Sequence, residues 1–233
     1  MSGLRPLSQN TQDEIATALS SVRLRPYLRT VNGQLEPAIR LYELNLCICT
    51  AIYPSLHIFE ITFRNQIDRA LQEQYGRHWY QCGLLEQRAQ SFIEKAKDTV
   101  RRQGRPLTRP RIISELTLGF WISLITRKKY QQRVFNKCIK YIFPYALATE
   151  RNFKELAPKL PLNILYLRNR VFHYEPIWQK PYDVSSKHQY IHKTLNWISP
   201  EVLQWLKTQD DFLKVYNQVS DELEHLINPF RYD

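Results

Sequence analysis

Between residues 54 and 75, Leu56, Phe59, Phe63, Ile67 and Leu71 recur three and four apart. That spacing lays one apolar stripe along an α-helix and conflicts with the alternation of a half-buried strand. The same period runs through most of the chain, and strand alternation is weak everywhere. Only 6 of 233 residues are glycine, well below the usual ~7 %. Tight hairpins and glycine-rich phosphate loops therefore have little material. The pattern predicts an all-α protein, a helical bundle forming a single compact domain, in one body or in two closely packed lobes.

Proline and glycine punctuate the pattern. A short amphipathic helix is expected over Asp13 to Arg25, ending before Pro26. A second spans Pro37 to Tyr53, and Pro54 starts or kinks the next, which Gly76 stops. Further helices are expected over Leu84 to Arg102, over Leu116 to Ile125 with Ser114-Glu115 opening it, and from Arg127 toward Phe143. A piece from Glu150 to Ala157 should break at Pro158 and Pro161, and Leu162 to His173 should end before Pro176. Ser185 to Trp197, a Ser199-Pro200-Glu201 start, and Asp210 to Ile227 complete the set. Residues 1–36 read as an N-terminal segment with a short helix, and residues 37–233 as the main helical domain.

Several classes of function find no support. No stretch approaches the ~20 apolar residues of a membrane span, and Met1 to Asn10 lacks the apolar core of a secretory signal. A cytoplasmic protein without membrane partners is the expectation. Cys47, Cys49, Cys82 and Cys138 form no C-x-x-C pair and read as buried reduced thiols. His188 and His192 are four apart, but no third ligand stands in register, so neither a metal nor a cofactor is expected. G-x-G-x-x-G, P-loop and G-x-S-x-G motifs are absent. Leu116, Phe120 and Trp121 read as core, as does His57; Trp178, Trp197 and Trp205 read as core or dimer packing.

The net charge of +11 is concentrated. From Arg88 to Lys140 there are 14 Lys/Arg against 3 acids, and the rest of the chain is balanced. One cluster holds Arg101, Arg102, Arg105, Arg109 and Arg111; the other opens with Arg127, Lys128 and Lys129. Segregated arginine suits a polyanion, because the guanidinium fork binds phosphate bidentately. A nucleic acid is the expected partner, and these residues are expected to bind its backbone.

The densest polar cluster in an apolar frame is Leu167 to Pro176. Asn169 and His173 are four apart on one helix face, with Arg168 beside Asn169 and His173 in the last turn. A histidine near neutrality can move a proton to or from a sugar oxygen, and an arginine can stabilise charge growing on phosphate. On the Pro54 helix, Glu60 and Arg64 stand at ion-pair spacing, followed by Asn65. Two Arg-Asn steps in two apolar helices imply a shared polar site between them, since such groups are costly to bury unpaired.

The run LRNRVFHYEPIW (Leu167 to Trp178) resembles the signature of the Abi-like proteins, a bacterial abortive-infection family in the HEPN superfamily. Two more stretches, Leu41 to Tyr80 and SELTLGFWISLI (Ser114 to Ile125), resemble the family in the same order. The resemblance implies a HEPN-type bundle with additional helices that forms a homodimer. It implies a composite cleft with two Arg-x-x-x-x-His motifs, and metal-independent RNA cleavage in phage defence or as a toxin. By that motif Arg168 and His173 are the catalytic pair with Asn169 beside them, and Glu60, Arg64 and Asn65 match the family's first-helix polar residues and support them; Glu175, two residues after His173, is a further supporting candidate by its position. An antitoxin or regulatory protein is an implied partner. The alternative is a non-catalytic HEPN scaffold that binds RNA or protein. The chain departs from the family at Tyr174, where a second His is frequent, and at Glu175, where some HEPN toxins have Tyr.

Overall fold

A computed structural model describes residues 7–146, 152–179 and 183–230. Among them the protein is all-α, with no strand. The chain divides into two compact units, one of residues 1–53, 170–185 and 210–233, the other of residues 54–169 and 186–209. Residues 1–36 fall inside the first unit.

In the first unit, α1 (Gln9–Leu19) and α2 (Ser21–Thr30) meet at Ser20. Ser20 adopts a φ of 72°, which ends α1, and its hydroxyl accepts from the Arg23 amide to cap α2. The single helix expected up to Arg25 is therefore two, and Pro26 lies inside the second. A left-handed serine leaves no mark in apolar periodicity. The unit also holds the start of α3 (Leu35–Tyr75), and a later helix, numbered α11 below (Phe212–Ile227). Leu24, Tyr27, Leu41, Ile48, Ile52, Ile177 and Phe212 form its core. The buried side chain of Asn45 accepts from the Ile177 amide at 2.8 Å, pinning the segment that follows residue 170.

Helix α3 runs unbroken through Pro54 for 41 residues, where two helices or a kinked pair were expected. Proline removes one backbone bond there. The buried residues Ile48, Ile52, Leu56, Phe59 and Phe63 on either side outweigh that loss. By length and composition α3 could also cross a membrane, contrary to the sequence expectation, and a third of the qualifying stretch is buried within the protein.

In the second unit the remainder of α3 is joined by α4 (Gln87–Arg102), α5 (Arg109–Ser114), α6 (Leu118–Thr126) and α7 (Asn136–Ile142). The bulk of α8 (Phe153–Phe172) and α9 (Val184–Ile198), with α10 (Pro200–Lys207), complete it. Helix α6 is capped by Thr117, not opened by Ser114-Glu115. The basic run after Arg127 is a 3₁₀ turn and a π-turn before α7, because Arg127 itself is extended. The expected start at Glu150 lies outside the described residues. Pro158 and Pro161 do not break α8. Phe153, Ala157, Leu160, Ile164 and Leu167 keep one buried face across both prolines.

Aromatic contacts dominate this core. Phe143, Phe153 and Trp197 meet edge to face at 5.3 to 5.8 Å. Trp121 and Phe120 are buried, as expected, and so is Trp197, whereas Trp205 and His57 are exposed. A polar node sits within the apolar packing. The buried Asp68 of α3 accepts from Trp79 Nε1 at 2.9 Å and from Gln72 at 3.3 Å, and pairs with Arg109 at the start of α5. Each oxygen is satisfied, which is the condition for burying a carboxylate.

Asp68→Ala leaves the Arg109 charge and the Trp79 indole N–H without their acceptor. It should lower the unfolding free energy by about 3–5 kcal/mol, read as urea unfolding by tryptophan fluorescence. Asp98→Ala, which removes an exposed pair with Arg101, should change it by no more than about 0.5 kcal/mol. The cysteines differ as well. Cys82 is exposed, against expectation, while burial pushes the thiols of Cys49 and Cys138 up to about 11. At pH 8 a thiol reagent should label Cys82 fast and those two slowly, their rates rising as pH approaches 11 and the thiolates form.

Candidate active site

Helix α8 buries Ile164, Leu167 and Val171 along one face. Arg168 lies at the edge of that face, half-buried. Its Nε donates to Glu60 of α3 at 3.1 Å, and each side chain keeps about a quarter of its surface. Sequence spacing placed Glu60 opposite Arg64. In the structure Glu60 turns to Arg168, and Arg64 donates to the neighbouring Asn65 at 3.2 Å. A carboxylate on an apolar helix gains more from an arginine across the interface than from one on its own solvated side. The shared polar site between the two helices is therefore Glu60 with Arg168. Asn65 is exposed, and Arg64 and Asn169 are half-buried.

The end of α8 is a Schellman turn. The Glu175 amide donates to the Arg170 carbonyl at 2.9 Å, and the Tyr174 amide to the Val171 carbonyl at 3.2 Å. Tyr174 takes the left-handed position with φ of 58°, where glycine is usual. This turn ends the helix before Pro176 does. His173 is the last half-helical residue, and its imidazole is exposed without a hydrogen bond among the described residues. Glu175 does not reach it. Glu175 pairs with Arg170 at 2.9 Å, and Arg170 also donates to the Pro176 carbonyl at 2.7 Å.

Arg23 of α2 is the residue that sequence reasoning missed. Its Nη1 donates to the His173 carbonyl at 3.0 Å and to the Tyr174 carbonyl at 2.7 Å. Its guanidinium carbon stands 5.8 Å from the centre of the Tyr174 ring. The 150 residues between Arg23 and His173 leave no local signal of the contact.

The basic segment is less uniform than its sequence. Arg109 is withdrawn to Asp68, so it is a structural ion pair and not a free phosphate ligand. Arg101 pairs with Asp98 at 2.6 Å and Lys129 with Glu86 at 2.9 Å. Arg102 donates to Thr99 at 3.3 Å, and Arg111 to the Pro106 carbonyl at 3.0 Å. Arg102, Arg105, Arg127 and Lys128 are exposed. Elsewhere in the same unit, the rings of His188 and His192 stand 4.1 Å apart on α9, with His188 buried.

Comparison with protein-family models, with curated proteins and with solved structures found no match.

The turn at Tyr174 yields a stability prediction. An L-residue in the left-handed region costs about 1–2 kcal/mol, and a β-branched one is the worst tolerated there. Tyr174→Val should lower the thermal midpoint, whereas Tyr174→Gly should hold or raise it. Differential scanning fluorimetry separates the two.

Proposed function

We propose that this chain is a metal-independent endoribonuclease of the HEPN type, serving in phage defence or as a toxin. One observation carries the reading: an exposed histidine ends the helix on which Glu60 holds an arginine in place. The resemblance of Leu167 to Trp178 to the Abi-like signature supports the same assignment.

In the proposed reaction a ribose 2′-oxygen attacks the adjacent phosphorus. The O2′–P bond forms, the P–O5′ bond breaks, and a 2′,3′-cyclic phosphate and a 5′-hydroxyl result. The nucleophile is tethered to its target, so proximity supplies much of the acceleration. His173 transfers the proton, from the 2′-hydroxyl or to the leaving oxygen. Arg168 stabilises the charge that grows on the phosphoryl oxygens, and Glu60 fixes the guanidinium's direction. Asn169 is the polar neighbour available to the phosphate or ribose. Exposed Arg102, Arg105, Arg127 and Lys128 serve the RNA backbone, and Arg109 does not. A homodimer pairs two such motifs.

The second reading is a scaffold that binds RNA or protein without cutting. It draws on the His173 imidazole having no partner to fix its tautomer among the described residues. Incubating the protein with structured RNA in EDTA decides between them. The nuclease reading expects fragments with cyclic-phosphate ends, and a fall of at least about 100-fold in rate for His173→Ala. RNA bound and uncut would establish the scaffold.

A further inference from the structure

We infer that Arg23 is the positioning residue for His173, holding the turn that carries the imidazole from a helix 150 residues earlier in the chain. The inference rests on His173 being the acid/base of the proposed reaction.

The last carbonyls of a helix have no intrahelical donors. At the end of α8 the Schellman turn satisfies the carbonyls of Arg170 and Val171. Just past the helix, Arg23 takes the carbonyls of both His173 and Tyr174, at 3.0 and 2.7 Å from one nitrogen. A terminal guanidinium nitrogen carries two hydrogens in one plane, so a single Nη1 fixes two successive peptide groups relative to each other. These peptides flank the Cα of the strained tyrosine, and the first of them is its link to the histidine. A left-handed tyrosine persists only where its surroundings over-determine it. Arg23 supplies that determination from two sides, through the carbonyls and through the face of the ring.

Beside the two backbone bonds of the turn itself, the other side-chain contacts here hold the flanking residues. Arg170 fixes Glu175 and Pro176, and Asn45 fixes Ile177. Among the described residues, Arg23 is the only side chain bonded to the backbone of 173 and 174. Arg23 is itself set by the first turn of α2, where its amide donates to the Ser20 hydroxyl at 3.4 Å. Nη1 is committed to the two backbone carbonyls, so in this proposal Arg23 acts on the reaction through His173. Freeing the turn lets an exposed imidazole wander, and a displacement of about 1 Å can cost on the order of 100-fold in rate.

The test compares the full-length protein with Arg23→Ala and Arg23→Lys. Cleavage of a labelled RNA gives kcat and KM, and the histidine Cε1–H proton spectrum, assigned with His173→Ala, reports the imidazole directly. The inference expects Arg23→Ala to lower kcat about 10- to 100-fold with KM unchanged. It also expects the His173 signal to broaden or split, and Arg23→Lys, which can still donate to both carbonyls, to recover part of each effect. A raised KM with kcat intact would make Arg23 a substrate ligand and overturn the inference. So would an unchanged His173 signal, whatever the kinetics. If the parent protein cuts no RNA, the nuclease reading fails in the cleavage assay. The spectrum then decides on Arg23 alone: broadening supports it and no change refutes it. Should Arg23→Ala not fold, Arg23→Lys against Arg23→Gln gives the same comparison.

Discussion

The buried carboxylate of Asp68 organises the second unit. It collects the indole of Trp79, the amide of Gln72 and the guanidinium of Arg109, and so ties the last turns of α3 to the loop after it and to the first residue of α5. A charge in such a place is stable only when all its partners arrive together. The node therefore constrains three segments at once. It also withdraws Arg109 from a cluster that otherwise looks made for phosphate. Two turns earlier on the same helix, Glu60 makes the second ion pair, with Arg168. The placement of that arginine thus rests on a helix whose end Asp68 has already fixed.

Two kinds of control act on the candidate residues. Arg168 is held by a charge pair at the edge of an apolar interface, where the surroundings are dry enough for the pair to direct the guanidinium. His173 is held through its backbone, by a helix cap with a tyrosine where glycine is usual and by an arginine from α2. The side chain itself is left in solvent. The ring is thereby open to solvent while the backbone that carries it is fixed.

The helical class was legible in the sequence, because burial on one face demands apolar residues at three- and four-residue spacing. The stripe from Leu56 to Leu71 is buried as the spacing implied. Breaks were less legible. Pro54, Pro158 and Pro161 all lie within helices, since long buried faces outweigh a single missing donor. Conversely, Ser20 ends a helix without any apolar signal. The link between Glu60 and Arg168 could be anticipated from two costly polar groups in two apolar helices. Its partner choice could not, since i,i+4 spacing pointed to Arg64 and only the interface favours Arg168.

The sequence by itself determined the helical class, the apolar faces, the segregated charge and the local grouping of Arg168, Asn169 and His173. Each depends on residues within a few turns of one another, and local spacing records such relations. The tertiary structure decided which charges are spent on the fold and which face solvent. It turned Arg109 to Asp68 and Glu60 to Arg168, and it brought Arg23 to the carbonyls of His173 and Tyr174 across 150 residues. Electrostatic and hydrogen-bond partners are chosen by distance in space and by desolvation, and neither quantity is written in sequence order.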